Sequence, residues 1–285
     1  MRLVITLADS VLLDRDDRPG AVVRPPDTDR VATAVAALAR EHETVVIHGN
    51  GSLTGAQAQM LLGSPLALTL NDVLRGRRIA TLVTHTLVRT DDPGFEHPTT
   101  FVGPARPRPE AQALARERGW HVAEDATGWR RVVASPEPVR VLEAGTVHEL
   151  LGSGVTVICA GGGGVPVTAD GDTGALRAVE AVVDKDLTAA LLAEELRADF
   201  LLVLTGLPNV YADHGTPGRR PVLDATPAEL RRLRRPADSV RRASEAAARF
   251  VERTGGLAAI GALDAAYEIV HGRSGTLVRP DLAFG

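Results

Sequence analysis

One lysine stands among the 32 lysine and arginine side chains of this sequence, Lys185, and it lies between two aspartates in AVVDKDLTAALL. Arginine is a planar, permanently charged fork, whereas lysine is a compact point charge on a flexible stem. A chain that meets its other needs for positive charge with arginine, yet carries one lysine in an acidic bracket, points to a site that needs an ammonium. Neutralising a transferring phosphoryl group is such a need. Asp186 would hold the lysine in place or reach a magnesium ion through water. Asp184 or Asp186 would also serve as a helix cap, which is compatible with that role. The plainer reading is a surface lysine retained by chance.

Two glycine-bearing loops add to the pattern. His48-Gly49-Asn50-Gly51 leads to Thr54 and Gly55, and Gly161-Gly162-Gly163-Gly164 follows an apolar run. Glycines let backbone N–H groups approach an anion, and a helix start favours negative charge. Four consecutive glycines cost chain entropy, so packing alone does not account for them. A tight turn is the plainer reading of either loop, whereas both at strand ends favour anion binding. The chain has no GxxxxGKS/T phosphate loop, and GGGG lacks the spacing of a GxGxxG dinucleotide fingerprint.

The elements that must position these residues alternate. RLVITLA (2–8), ETVVIHGNG (43–51), VTVICAGGGGVPV (155–167), DFLLVLTGL (199–207), LAAIGAL and GTLVR read as strands. DTDRVATAVAALAREH (27–42) reads as a helix starting at Asp27 or Thr28. TGAQAQMLLG (54–63), NDVLRGRRIATLVTHTLVRT (71–90), DLTAALLAEELRA (186–198), TPAELRRLRR, SVRRASEAAARFVERTG (239–255) and AAYEIVHG read as further helices. Alternation of this kind predicts a mainly parallel sheet covered on both faces, with ligands beyond the carboxyl ends of its strands. From Asp91 to Pro109 proline and glycine interrupt the pattern. The charged stretch after it, about 110–142, which carries Trp120 and Trp129, reads as an inserted subdomain or lid within one 285-residue domain.

Composition narrows the partners. A net charge of −4 gives no whole-chain attraction to nucleic acid or acidic membranes, and an aromatic content of 3% argues against a base-stacking surface. The basic run RRLRR at 231–235 reads as a solvated helix face. Cys159 is the one cysteine, which excludes an internal disulfide and multi-cysteine metal sites; it reads as a buried structural thiol. The amino terminus lacks a signal-peptide pattern and no apolar run reaches membrane-spanning length, so the expectation is a cytoplasmic protein.

Taken in order, HGNG, DDPGFEHPTTFVGP, GWRRVVASPEP, AGGGGVPV, AVVDKDLTAALLAEELRADFLLVLTGLPNVY and SGTLV resemble the carbamate kinase family over nearly the whole chain. The resemblance implies the amino-acid-kinase fold, a three-layer α/β/α sandwich around a mainly parallel sheet, with the small subdomain protruding near 110–142. It also implies a homodimer that exchanges phosphate between carbamoyl phosphate and ADP with Mg2+. Carried over by position, Gly49, Asn50 and Gly51 would face the carbamate and the transferring phosphate, and Gly161 to Gly164 would line the cleft. Lys185 and Asp186 match the catalytic lysine and its organising aspartate. Thr205, Gly206 and Tyr211 fall on the nucleotide side, Tyr211 near the adenine.

The sequence also departs from the family pattern. Ala8-Asp9-Ser10 stands where the family has GGN, Thr100 and Ala243 stand where it has lysines, and Gly206 replaces the acid of LTD. Arg241 or Arg242 would have to supply the missing phosphate contact. The leading expectation is a phosphotransferase acting between ATP/ADP and a small carbamate- or carboxylate-like acceptor, with Asp9 and Ser10 reshaping the acceptor side. The alternative left open is a catalytically inactive homologue that binds a ligand or regulates a partner. New chemistry through Asp9, Ser10 or His48 is a third reading.

Overall fold

The computed structural model describes residues 1–12, 25–50, 53–233 and 238–281. Eight strands form the central sheet: β1 (Arg2–Leu7), β2 (Glu43–His48), β3 (Arg78–Thr81), β4 (Val155–Ile158), β5 (Phe200–Thr205), β6 (Asp224–Ala225), β7 (Leu257–Ala262) and β8 (Thr276–Val278). Their order is β6-β8-β7-β5-β1-β2-β4-β3. Every adjacent pair is parallel except β7 and β8.

Strands buried on both faces read as continuous apolar runs rather than alternating ones. β1, β4 and β5 show this, with buried residues almost throughout. Successive side chains nonetheless point to opposite faces. Val4, Val45, Ile47, Val157, Leu201 and Val203 pack into one core with Leu192, Ala193 and Phe250. Those last three lie on the Lys185–Glu195 and Asp238–Thr254 helices. Leu3, Ile5, Leu7, Val46, Leu202 and Leu204 pack into the other with Val35, Leu38, Leu66 and Leu70. These belong to the Pro25–Ala39 and Gly63–Val73 helices. Burial of each such leucine or isoleucine contributes roughly 1.5–3 kcal/mol. The result is the three-layer α/β/α arrangement expected of the chain.

Two readings of the sequence are corrected. The stretch 71–90 is not mainly helix: the Gly63–Val73 helix ends there, and β3 and a strand at His85–Val88 follow. Gly76, at φ +85°, turns the chain out of the helix, and a left-handed glycine just past the last turn is a common stop. The first long helix begins at Pro25, ahead of Asp27 and Thr28, and proline suits the first turn because its missing N–H has no intrahelical partner there.

A second sheet pairs His85–Val88 with Val165–Ala169 and Pro138–Val141. Thr100–Arg106, His121–Asp125 and Gly128–Val133 form a small antiparallel sheet, with the Arg108–Arg118 helix packed on it. Among the described residues no helix is long and apolar enough to cross a membrane.

Candidate active site

The strand order reverses around β1, which has β2 on one side and β5 on the other, and crevices at such points hold the ligands of open α/β sheets. Residues just beyond the carboxyl ends of these strands line one cleft of about 770 Å3. Ala8, Asp9 and Ser10 follow β1, Asn50 follows β2, Gly162 follows β4, and Thr205 and Gly206 close β5. Asp184, Lys185 and Asp186 enter from the start of a helix, and Arg242 and Ala243 from the Asp238–Thr254 helix.

Asp184 caps the Lys185–Glu195 helix: its Oδ1 accepts the backbone N–H groups of Asp186 at 2.9 Å and Leu187 at 3.0 Å. An aspartate there satisfies donors the helix cannot use and complements its positive end. Lys185 Nζ donates to Asp186 Oδ1 at 2.6 Å, and the Thr6 hydroxyl from β1 donates to the same oxygen at 2.7 Å. Asp186 is 4% exposed, so this pairing lies in the protein interior. Burial opposes the charge on Lys185, but Asp186 and Asp184, with help from Asp9, outweigh it and raise the lysine pKa. The group is therefore an ammonium at neutral pH. Burial, then the charge of Asp186, push the Asp184 carboxyl upward against the pull of Lys185 and of Arg242, whose Nη1 lies 3.4 Å from Asp184 Oδ2.

The glycine run is held by its neighbours on all sides. Gly163 sits at φ +85°, and a Cβ there would lie 2.2 Å from the Val183 carbonyl oxygen, so only glycine fits. Its own carbonyl accepts from the Thr86 hydroxyl at 2.7 Å. Thr188 Oγ1, 2.9 Å from the Asp184 carbonyl and 3.3 Å from that of Gly163, ties this turn to the lysine helix. Beneath it, Thr84 Oγ1 accepts from the Ala160 N–H and donates to Gln59 Oε1, while Gln59 also pairs with both backbone groups of Thr84. A buried polar network satisfied in this way fixes one geometry.

His48 supports its loop. Its Nδ1 lies 2.7 Å from the Gly49 carbonyl, which only accepts, so Nδ1 carries the proton. The ring is packed so closely on Gly161 that a Cβ there would lie 2.2 Å from Cε1. Burial pushes the imidazole down to about 4, although the Gly49 hydrogen bond pulls the other way. The unfolded chain therefore takes up a proton near pH 6.5 that the folded one refuses until about pH 4. Stability from this group is complete above about pH 6.5 and falls by up to about 3 kcal/mol toward pH 4. Urea midpoints across this range should show the decline in the wild type and a flatter profile in His48→Gln. An equal slope in both would move the acid sensitivity elsewhere.

Asp9 is the unusual member. Its Oδ1 lies so close to Gly49 that a Cβ added there would be 1.6 Å away. Gly206, for its part, lies beside Ser10, whose Oγ would be 3.3 Å from an added Cβ. The loop after β1, the loop after β2 and the end of β5 thus meet at Asp9 and Ser10.

Of the residues singled out from sequence, Asp9, Ser10, Asn50, Gly162, Lys185, Asp186, Thr205, Gly206 and Arg242 line the cleft. Gly49, Gly161, Gly163 and Gly164 form its backing rather than its surface. Gly51 lies outside the described residues. Arg241 is exposed and is not a lining residue, whereas Arg242, one position on, is. Tyr211 stands one ring back, edge-on to the lining residue His214 at 6.1 Å and with Arg219 over its face. Sequence reasoning missed Thr99, Ser135 and His214 as lining residues; each sits in an irregular segment without a periodic signal. Cys159 is buried, and burial pushes its thiol up to about 12, which suits packing rather than chemistry.

A parallel sheet whose carboxyl edge gathers a held ammonium, a helix start and a glycine turn defines a phosphate-handling α/β protein. The amino acid kinase family model matches residues 1–239. A carbamate kinase of Rhizobium meliloti (strain 1021) is 38% identical over 301 residues, covering 98% of this chain and 93% of the relative. That of Escherichia coli (strain K12) is 36% identical over 297 residues, covering 97% and 98%. The solved carbamate kinase from Giardia lamblia bound to AMP-PNP superimposes with a TM-score of 0.89 at 27% identity, over 98% of both chains. The chain belongs to the amino acid kinase family, and within it to the carbamate kinase family.

Proposed function

We propose that the chain moves phosphate between ATP/ADP and a small carbamate- or carboxylate-like acceptor, with Lys185 stabilising the phosphoryl group in flight. The observation that carries this reading is the Lys185 ammonium, held by Asp186 at the start of a helix in the cleft. Such transfer is catalysed chiefly by positioning and by charge aimed at the moving phosphoryl oxygens. In the direction of ATP formation, the bond from phosphorus to the carbamoyl oxygen of carbamoyl phosphate breaks. A terminal oxygen of ADP forms the new one, and carbamate leaves. No proton has to be removed, which agrees with a neutral, structural His48.

Among the described residues no group of three or more His, Cys, Asp or Glu side chains is placed to cage a metal. Mg2+ usually binds through one or two carboxylates together with substrate phosphates, and Asp184 and Asp186 are the carboxylates that would fit that pattern here. Bound in that way, it neutralises phosphate charge. Asp9 bears on the acceptor side by shaping the loop beside Gly49, and its charge already acts on the Lys185 ammonium. A cytoplasmic homodimer belongs to the same proposal.

The test is ATP formation from ADP, Mg2+ and carbamoyl phosphate by the purified full chain, against a preparation lacking Lys185. Lysine-dependent ATP formation supports the reading with carbamate itself as acceptor. Nucleotide binding without transfer to carbamate or to small carboxylates would replace it with the ligand-binding alternative.

A further inference from the structure

Both tryptophans of the chain line a single cavity of about 260 Å3 outside the Lys185 cleft. It lies between the small antiparallel sheet with its Arg108–Arg118 helix and the start of the Gly55–Leu61 helix, which contributes Thr54 and Gln57. We propose that this cavity is a binding site for a small carboxylate with a ring-sized apolar body, separate from the phosphotransfer cleft.

Size sets the first limit. An apolar cavity of about 150 Å3 admits benzene, so this one has room for a ring and a carboxylate but not for a nucleotide. The walls set the second. Val102, Ala111, Leu114 and Val122 supply apolar surface beside the two indoles. The indoles are held in place: Arg118 and Arg131 lie over Trp120 at 5.2 and 4.5 Å, and Arg108 lies over Trp129 at 5.1 Å. Rings fixed by such cation–π contacts do not collapse into the space.

Charge sets the third. The lining includes two arginines, Arg106 and Arg131, and no acidic residue. Each pairs with a glutamate outside the lining, Arg106 with Glu110 and Arg131 with Glu180. Glu180 is 65% exposed, and pairs of that kind contribute little, so a ligand carboxylate competes with it readily. The buried Nε of Arg131 makes no hydrogen bond. A buried donor without an acceptor carries a desolvation cost, and a carboxylate that draws the guanidinium inward would supply the acceptor. Carbamate is too small and too polar to need these walls.

The two tryptophans make the test direct, because all indole emission comes from this cavity. Phenylacetate titrated into the full-length protein should change that emission saturably. The uncharged analogue 2-phenylethanol should bind at least roughly tenfold more weakly. Arg131→Gln should weaken phenylacetate by a similar factor. Leu114→Phe, which fills the space without touching charge, should abolish binding and serves if the arginine variant fails to fold. Saturating ADP should leave the titration unchanged. The proposal is overturned by no saturable change, by equal affinity for the alcohol, by unchanged binding in Leu114→Phe, or by competition from ADP, which would put the probe in the cleft.

Discussion

Lys185→Ala lowers kcat for phosphate transfer by roughly 10²–10³, the loss seen when one preorganised charge-stabilising donor is removed. Lys185→Arg should not restore it. The Lys185 side chain is 15% exposed and its Nζ is held 2.6 Å from Asp186 Oδ1. A planar guanidinium is broader and points its donors differently, so it does not reproduce a point charge at that position. Initial rates with saturating substrates decide this, with a melting curve to show that each variant is folded. Turnover that survives in Lys185→Ala at the wild-type rate would remove the lysine from the mechanism.

Asp186→Asn should lower stability sharply. The carboxylate takes two hydrogen bonds, from Thr6 and Lys185, and its side chain is 6% exposed. Breaking a buried ion pair by removing one partner costs about 3–5 kcal/mol, because the remaining charge stays buried without compensation. That is a large share of the roughly 5–15 kcal/mol that holds a domain folded. The urea midpoint of Asp186→Asn should therefore fall well below that of the wild type. Adding Lys185→Met should recover part of the loss, since the ammonium left with only Asp184 and Asp9 to balance it is then gone. Two variants with simply additive losses would show that the pair is not coupled.

Much of this was legible in the sequence because the signals are local and redundant. β1, β2, β4 and β5 are short apolar runs bounded by turns, and the lysine helix announces itself with an aspartate cap. The gathering of HGNG, GGGG and DKD followed from one topological rule about strand ends. What escaped was what periodicity does not encode. The stretch 71–90 reads as mostly helix from sequence, yet only its start is helical. The deciding residue is Gly76, whose positive φ is a property of the folded chain. Thr99, Ser135 and His214 reach the cleft from irregular segments whose course only tertiary packing determines. The inward choice between Arg241 and Arg242 depends on the rotation of a helix about its axis, and adjacent arginines give no hint of it.

The cleft is built from two kinds of wall, and they differ in what they allow a protein engineer to do. On one side backbone presses on backbone: a Cβ on Gly163 would strike the Val183 carbonyl at 2.2 Å, and one on Gly55 that of Gly164 at 2.1 Å. Almost any substitution there is a folding defect before it is anything else. On the other side, around Gly206, the nearest obstacle is the tip of the Ser10 side chain at 3.3 Å, and that tip can turn away. Positions 10 and 206 are thus the adjustable part of the cleft. A library that varies these two and leaves 161–164 untouched would explore acceptor choice while nearly every member still folds.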